Sequence, residues 1–338
     1  MSKDRVFWLT CLTAAGSIVI LALMLLGFLV VDSWQALTTL GLGFFARSDW
    51  DPVHNRYGAL AFVYGTLVTS LTAMLIAVPL SVGSAAFLAE IAPRWMRKTG
   101  SFLIELLAAI PSVVYGFWGI FFLAPIIQQV FNRLGGPNNG GAGLTAASLI
   151  LAIMIVPYIA AISYDVCRAV PRSQREAALA LGATRWQTIW SVILPYASPG
   201  ILGACFLALG RALGETMAVT MLIGNNPHIE YSPFALGDSI ASVIANQLNN
   251  TNNDLQRSAL VELGLVLLLV SISVNVLARL LIWRVGKGFG VNKFLHRSKK
   301  PPKSDRAWSD TSGAVVLRQR RNRAVNVLMT GVLGGCLC

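Results

Sequence analysis

Long apolar segments alternate with shorter polar ones along most of the 338-residue chain. An apolar helix of about 20 residues crosses the roughly 30 Å hydrocarbon core of a bilayer. Open strands would leave backbone groups unpaired in lipid, and the segments are too long for barrel strands. The pattern therefore predicts an all-α polytopic membrane protein with six transmembrane helices, at Phe7–Val31, Phe62–Leu88, Phe102–Phe131, Leu144–Val166, Tyr196–Gly224 and Ala259–Trp283.

The third apolar segment is longer than one crossing needs, and Pro111 interrupts it. A proline inside a helix removes a backbone hydrogen bond and clashes with the preceding turn. We therefore expect a kinked or broken helix, with the C-terminal part free to lie along the outer surface.

Lys and Arg in the connecting segments predict the orientation, because cytoplasmic loops carry an excess of these residues. One set of segments holds Lys3, Arg5, Arg94, Arg97, Lys98, Arg168, Arg172, Arg175 and Arg185. The opposite set holds Arg47, Arg56, Arg133 and Arg257 over many more residues. Both termini are therefore predicted to be cytoplasmic.

The first apolar run is too long for a cleaved signal, so we interpret it as a retained helix.

Composition supports a membrane protein, since charged residues make up 12% of the chain, about half the usual share. Residues 284–338 hold twelve Lys or Arg against two Asp or Glu, so ten of the net +12 charges lie there. Such a basic segment beside a membrane favours anionic lipids as its partner, not nucleic acid. We divide the chain into a membrane domain, 1–285, and a basic, flexible cytoplasmic tail, 286–338. We interpret the tail's final apolar run as a membrane-surface segment or a disordered end, or alternatively as the shortened start of another membrane helix.

The five cysteines and three histidines form no metal-ligand spacing, and no Ser-His-Asp arrangement is apparent. The chain also lacks the G-x-x-x-x-G-K-[ST] loop that cradles nucleotide phosphates. We therefore expect no enzyme activity from this chain alone, no metal and no cofactor of its own.

The segment from Arg175 to Pro195 combines small side chains with a glycine between two predicted spans. Small residues let another surface approach closely, and the polar ends supply contacts at its rim. The segment resembles the cytoplasmic coupling loop of ABC-importer permeases, whose pattern is E-A-A, three residues, Gly, nine residues, Ile, one residue, Leu-Pro. That pattern falls here on Glu176, Ala177, Ala178, Gly182, Val192 (in place of Ile), Leu194 and Pro195. We place the coupling loop at about 167–195.

Arg211 and Glu215 lie four residues apart in the fifth predicted span. On a continuous helix they share one face. A lone charge at the bilayer centre costs at least ~3 kcal/mol, so both should face the bundle or a water-filled path. Two interpretations remain open: an ion pair that fixes packing, or an anion path in which Glu215 holds Arg211 when no substrate is bound.

Four further strings carry a closer resemblance: Tyr64–Ser70, Ile104–Gly119, Met154–Ala161 and LGRALGETMAVT from Leu209. Together they resemble phosphate-specific ABC importer permeases of the PstC type over about residues 7–285. The resemblance implies the type I importer (MetI-like) fold and a heterodimer with a sister permease. It also implies a cytoplasmic ATPase dimer that holds ATP and Mg²⁺, an extracytoplasmic phosphate-binding protein, and a link between phosphate passage and Arg211 and Glu215.

Other polar residues carry weaker hypotheses. Thr66, Ser70 and Ser112 are candidates for lining the path, although hydroxyls in apolar helices often bond to their own i−4 carbonyl. Glu105 and Glu262 lie near span ends, where we expect caps or ion-pair partners. The loop Asn225–Arg257 is predicted to face outward as a docking surface. A permease for another oxyanion and an ion-driven anion transporter remain alternatives, and a membrane-embedded enzyme lacks the clustered catalytic residues it needs.

Overall fold

The computed structural model of the chain describes residues 3–136, 138–232, 234–251 and 253–288. Six helical segments are long and apolar enough to cross a membrane, and we number them span 1 to span 6. They are Val6–Asp32, Leu60–Ile91, Ser112–Arg133, Leu144–Ala169, Arg185–Leu213 and Asp254–Leu280. The all-α prediction with six spans is confirmed. The interpretation of the tail at 289–338 lies outside the described residues.

The α-helices, in chain order, are α1 (Lys3–Asp32), α2 (Trp34–Leu40), α3 (Gly43–Ala46), α4 (Leu60–Ala86), α5 (Arg94–Ala108), α6 (Ser112–Trp118), α7 (Ala124–Arg133), α8 (Leu144–Ala169), α9 (Arg172–Ala180), α10 (Arg185–Thr188), α11 (Leu194–Leu213), α12 (Met217–Thr220), α13 (Ile240–Gln247) and α14 (Asp254–Gly288). π-Helical turns at Phe87–Ile91, Gly119–Leu123 and Ile189–Ile193 extend α4, join α6 to α7 and join α10 to α11.

Span 3 begins at Ser112, not at the predicted Phe102. α5 ends at Ala108 and α6 starts directly after Pro111, because proline cannot donate a backbone hydrogen bond and disfavours helix at the residue before it. The N-terminal part of the predicted segment therefore belongs to the separate helix α5. The expected break at Pro111 is confirmed, and the helical segment after it continues to Arg133.

Span 5 is also displaced from its prediction. It starts at Arg185 instead of Tyr196 and ends at Leu213 instead of Gly224. Thr184 begins the helix with a capping box, in which its hydroxyl accepts from the Gln187 N–H and the Gln187 side chain accepts from the Thr184 N–H. The last part of the predicted coupling loop, residues 185–195, is therefore part of a span.

Spans 2 and 4 pack together along the larger apolar core. Ala73 and Ala77 of α4 are fully buried, as are Ala146 and Ala147 of α8. Small residues let membrane helices approach closely. The Ser81 hydroxyl crosses this interface, donating to the Val156 carbonyl oxygen at 2.9 Å and to its own helix at Ala77.

A second apolar cluster joins the start of α14 to the segment between spans 1 and 2. Trp50 makes edge contacts with Tyr57 and Phe62, with ring centroids 5.0 and 5.1 Å apart. The Ser258 hydroxyl donates to the Asp32 carbonyl at 2.8 Å and accepts from the Ala36 N–H at 3.1 Å. These bonds tie the junction of α1 and α2 to span 6.

The predicted outward loop Asn225–Arg257 is partly internal. Its residues from Gly237 to Val243 are buried. The Ile240 N–H donates to the Thr66 hydroxyl at 3.0 Å, and any side chain at Gly65 would collide with the Asp238 carbonyl oxygen. The backbone of this loop therefore packs directly on α4, so residues 237–243 are not available as part of the predicted docking surface.

Candidate functional site

Helix α9 presents an uncovered surface between spans 4 and 5. It has no buried residue, and both Glu176 and Ala177 are exposed. Leu181, just after the helix, is 89% exposed. An exposed leucine beside small residues is a surface suited to a protein partner, because burying it there is favourable.

The turn after α9 depends on glycine. Gly182 adopts a φ of +86°, a backbone conformation that L side chains rarely occupy, and no atom lies within 4 Å of the position of a Cβ there. The turn therefore has room for a partner's surface but resists most substitutions. Thr184 follows it and starts the next helix.

Leu194 and Pro195 lie at the start of α11, inside span 5. The π-helical turn Ile189–Ile193 precedes them, and Ile193 is buried in the larger core. Proline is tolerated in the first turn of a helix, where its missing N–H costs little. Leu194 is half-buried against the larger core and Pro195 is exposed, whereas Glu176, Ala177 and Gly182 are exposed and Ala178 is half-buried.

Arg175 connects α9 to the two spans beneath it. Its guanidinium donates to Oε1 of Glu90 from Nε at 3.1 Å and from Nη2 at 2.8 Å. The same group donates to the carbonyl oxygens of Val170 at 2.9 Å and Cys167 at 2.7 Å. It thus supplies donors to carbonyls at the end of α8, where few intrahelical N–H groups remain; the Cys167 carbonyl also accepts from the Val170 N–H at 3.4 Å. Sequence reasoning missed Glu90; its place just before a basic loop was the available signal.

Arg211 and Glu215 do not lie on one helix. α11 ends at Leu213, and Glu215 occupies the break before α12, where its carboxylate accepts from the Ala218 N–H at 3.4 Å. Gly214 lies at this end of α11 and weakens helix continuation. The expectation of a shared helix face was wrong for this reason.

Arg211 is exposed and has no carboxylate within 4 Å among the described residues. Its guanidinium carbon lies 5.8 Å from the centre of the Tyr158 ring, within the range of a cation–π contact. A guanidinium free of carboxylates keeps its hydrogen-bond donors available to an anion.

The hydroxyl candidates differ in position. Thr66 is buried, and its hydroxyl donates to the Phe62 carbonyl at 2.7 Å while accepting from Ile240. Ser70 is buried and bonds to the Thr66 carbonyl at 2.7 Å. Ser112 is partly exposed at the start of α6. Thr66 and Ser70 are therefore engaged in helix packing in this conformation.

The two glutamates predicted near span ends, Glu105 and Glu262, differ in their burial. Glu105 is exposed on α5. Glu262 is fully buried, and neither carboxylate oxygen has a hydrogen-bond partner in the described part of the chain. The expectation of a cap or ion-pair partner was wrong for Glu262, which lies among apolar residues of α14 instead of at its end.

Comparison with known proteins places these features in a family. Residues 77–287 match the model for the binding-protein-dependent transport system inner membrane component. The chain is 47% identical over 276 residues to the phosphate transport system permease protein PstC of Pasteurella multocida (strain Pm70), covering 78% of this chain and 86% of the relative. It is 42% identical over 299 residues to the PstC protein of Xylella fastidiosa (strain 9a5c), covering 84% and 92%.

A solved structure with a similar fold is a bacterial ABC transporter involved in the import of the acidic polysaccharide alginate. The likeness has a TM-score of 0.57 and 18% identity, and it covers 83% of this chain and 97% of that one. At this identity the match concerns the helical architecture alone.

Proposed function

Because this chain belongs to the binding-protein-dependent transport inner membrane components, and within them to the PstC permeases, we propose that it is the membrane subunit of an ATP-driven importer of inorganic phosphate. It has the type I ABC importer permease fold and is a multi-pass protein of the bacterial inner membrane. The observation that carries the proposal is the identity to PstC proteins across both the spans and the α9 loop.

The uncovered surface of α9 supports a cytoplasmic ATPase dimer as the partner there. Its exposed face combines Glu176 and Ala177 with Leu181 and the open turn at Gly182. The distribution of Lys and Arg supports a cytoplasmic position for this surface and for both termini. Since the chain has no phosphate-cradling loop, ATP and Mg²⁺ are assigned to the ATPase.

Transport in this proposal follows alternating access. An extracytoplasmic binding protein delivers phosphate to a path formed with a sister permease. ATP binding moves the ATPase subunits, and α9 passes that movement to the spans, which rock between outward-open and inward-open states.

Arg211 is the proposed contact for phosphate in the path. A guanidinium fork matches two oxygens of a tetrahedral oxyanion. Glu215 lies in the adjacent helix break, more than 4 Å from Arg211 in this conformation. We propose that it approaches and competes for the cation in another state of the transport cycle, so that the phosphate is not held permanently. Ser112 and Thr66 are proposed to lie along the same path, with Thr66 reached after its segment moves.

The test is phosphate uptake into proteoliposomes that hold this chain, its sister permease and the ATPase, with binding protein outside and ATP inside. We expect ATP-dependent uptake by the wild type and a loss of at least about 100-fold in Arg211→Ala, because a charge-assisted contact worth about 3 kcal/mol disappears. Arg133→Ala, which removes an arginine at the end of span 3, is the control.

Uptake that persists without ATP would contradict the importer and favour an ion-driven transporter. ATP-dependent uptake that Arg211→Ala leaves unchanged would keep the importer and remove Arg211 from the path. Competition by unlabelled sulfate as effective as unlabelled phosphate would point to another oxyanion.

A further inference from the structure

The guanidinium of Arg175 joins three elements at the base of α9. It belongs to α9, it bonds to two carbonyl oxygens at the end of α8, and it pairs with Glu90 in the π-helical turn that ends span 2. No other arginine with described side-chain contacts bonds to three elements in this way. Arg168 bonds within its own helix, to the Tyr164 hydroxyl at 3.4 Å.

This ion pair is shielded from solvent. The side chain of Arg175 is 19% exposed and that of Glu90 is 16% exposed. Exposed ion pairs contribute little because water and salt screen them, whereas shielded charge-assisted bonds are stronger. Two guanidinium nitrogens on one carboxylate oxygen also fix the direction of approach.

The same end of span 2 is held from a second side. Arg97 of α5 donates to the Leu88 carbonyl at 3.1 Å and to the Ala92 carbonyl at 3.3 Å. Carbonyls at the end of a helix lack intrahelical donors, and Arg97 supplies donors to two of them here, whereas Arg175 bonds to the Glu90 carboxylate. The π-helical turn is therefore hydrogen-bonded to side chains of both α5 and α9.

Spans 2 and 4 form the core that this connection reaches. They pack through small residues, and the Ser81 hydroxyl bonds across to the Val156 carbonyl. Closely packed interiors transmit displacement instead of absorbing it. A force on the exposed side of α9 thus has a continuous path of hydrogen bonds into both spans.

We propose that Arg175 and Glu90 are positioning residues that couple the ATPase to transport, by tying α9 to the ends of spans 2 and 4. This inference rests on the proposed function, because it needs a partner that moves α9. The residues touch neither phosphate nor ATP. They convert a displacement of α9 into a displacement of the spans that rock around the path.

The test measures phosphate imported per ATP hydrolysed in proteoliposomes of the complete transporter. We expect this ratio to fall roughly fivefold or more in Glu90→Gln and in Arg175→Gln, which matches the lower range of coupling between linked sites. Arg175→Lys keeps the positive charge but loses the guanidinium that donates from two nitrogens to Glu90. Its ratio of phosphate imported to ATP hydrolysed should therefore lie between those of the wild type and Arg175→Gln.

The ratio separates coupling from stability, because a variant that merely assembles poorly loses uptake and hydrolysis together. Glu105→Gln, an exposed carboxylate on α5, is the matched control and should keep the wild-type ratio. If Arg175→Gln does not assemble, Glu90→Gln carries the test, since it leaves the bonds of Arg175 to Val170 and Cys167 in place.

The proposal would be overturned if both Glu90→Gln and Arg175→Gln kept the wild-type ratio of phosphate imported to ATP hydrolysed. That includes the case in which uptake and hydrolysis fall in equal proportion. A wild-type transporter without ATP-dependent uptake would instead contradict the proposed function. The two failures are therefore distinguishable in one set of vesicles.

Discussion

At the scale of single residues, Asp238 is a carboxylic acid withdrawn from solvent. It is 5% exposed in the segment that packs on α4, and its carboxylate accepts from the Ser239 N–H at 2.8 Å. Burial raises the pKa of Asp238 from 3.8 to about 6, and its hydrogen bonds with Ser242 and the Ser239 N–H oppose the rise. The charged form is therefore disfavoured in the folded chain.

We expect the stability of the chain to fall as the pH rises from about 4 to about 6. The folded-state pKa of Asp238 lies above its unfolded value, so the folded chain binds more protons in this window, and stability declines until the group is fully ionised. The rise in the pKa of Asp238 from 3.8 to about 6 corresponds to roughly 3 kcal/mol in the free energy of unfolding. Asp238→Asn keeps an acceptor for the Ser239 N–H and should remove this decline.

The measurement is the thermal unfolding midpoint in detergent between pH 4 and pH 8. The Asp238→Asn protein should be more stable than the wild type at pH 7.5 and should approach it at pH 4. Asp49→Asn, an exposed aspartate, serves as the control. Parallel pH curves for Asp238→Asn and the wild type would contradict the assignment.

At the scale of elements, α9 and its turn form an exposed surface with a fixed backbone. The side of the helix that carries Glu176 and Ala177 is covered by no other part of the described chain, and Gly182 holds the turn at positive φ. An L residue other than Asn or Asp costs about 1–2 kcal/mol in the left-handed region. This exposed surface and its fixed turn are thus suited to contact with a partner protein and add little to the stability of the fold.

We expect Glu176→Lys and Gly182→Asp to uncouple ATP hydrolysis from uptake. Glu176→Lys reverses a charge on the exposed face, and Gly182→Asp places a carboxylate at the turn that the ATPase would approach. ATP hydrolysis should persist while phosphate uptake falls about tenfold, equivalent to roughly 1.4 kcal/mol of lost coupling. Both rates are measured at matched amounts of the variant in the membrane.

Gly182→Asn is the matched control, because asparagine has the shape of aspartate, tolerates positive φ and carries no charge. Its uptake should exceed that of Gly182→Asp. Fully coupled uptake in Glu176→Lys and Gly182→Asp at wild-type abundance would remove α9 as the coupling element.

At the scale of the whole molecule, alternation of the six spans places α9 and the segment around Tyr231 on opposite sides of the membrane. Leu181 and Tyr231 are almost equally exposed, at 89% and 88%. The first span contributes an apolar surface that the described chain leaves uncovered, as expected for a helix that faces lipid or a sister subunit.

We expect Leu181→Cys to react with a membrane-impermeant maleimide only from the cytoplasmic side, and Tyr231→Cys only from the outside. The substitutions are made in a chain whose five native cysteines are replaced by serine. Right-side-out and inverted membrane vesicles provide the two directions of access. Labelling of both positions from the same side would contradict the topology.

Hydropathy along the chain was sufficient for the number of spans, the all-α class and the exposed loop at Glu176–Gly182. Lipid offers no hydrogen bonds, so a long apolar segment has to be a helix whatever its neighbours are. The motif from Glu176 to Pro195 was also local, since its spacing is a property of one segment.

The ends of the spans and the partners of the charged residues depended on tertiary structure. α5 and α6 separate at Pro111, and α11 ends before Glu215, so residues close in sequence lie on different elements. Glu90 and Arg175 are 85 positions apart, and Thr66 and Ile240 are 174 apart. Hydropathy describes what each residue requires from its surroundings, whereas these contacts arise when packed helices bring distant donors and acceptors within hydrogen-bond distance.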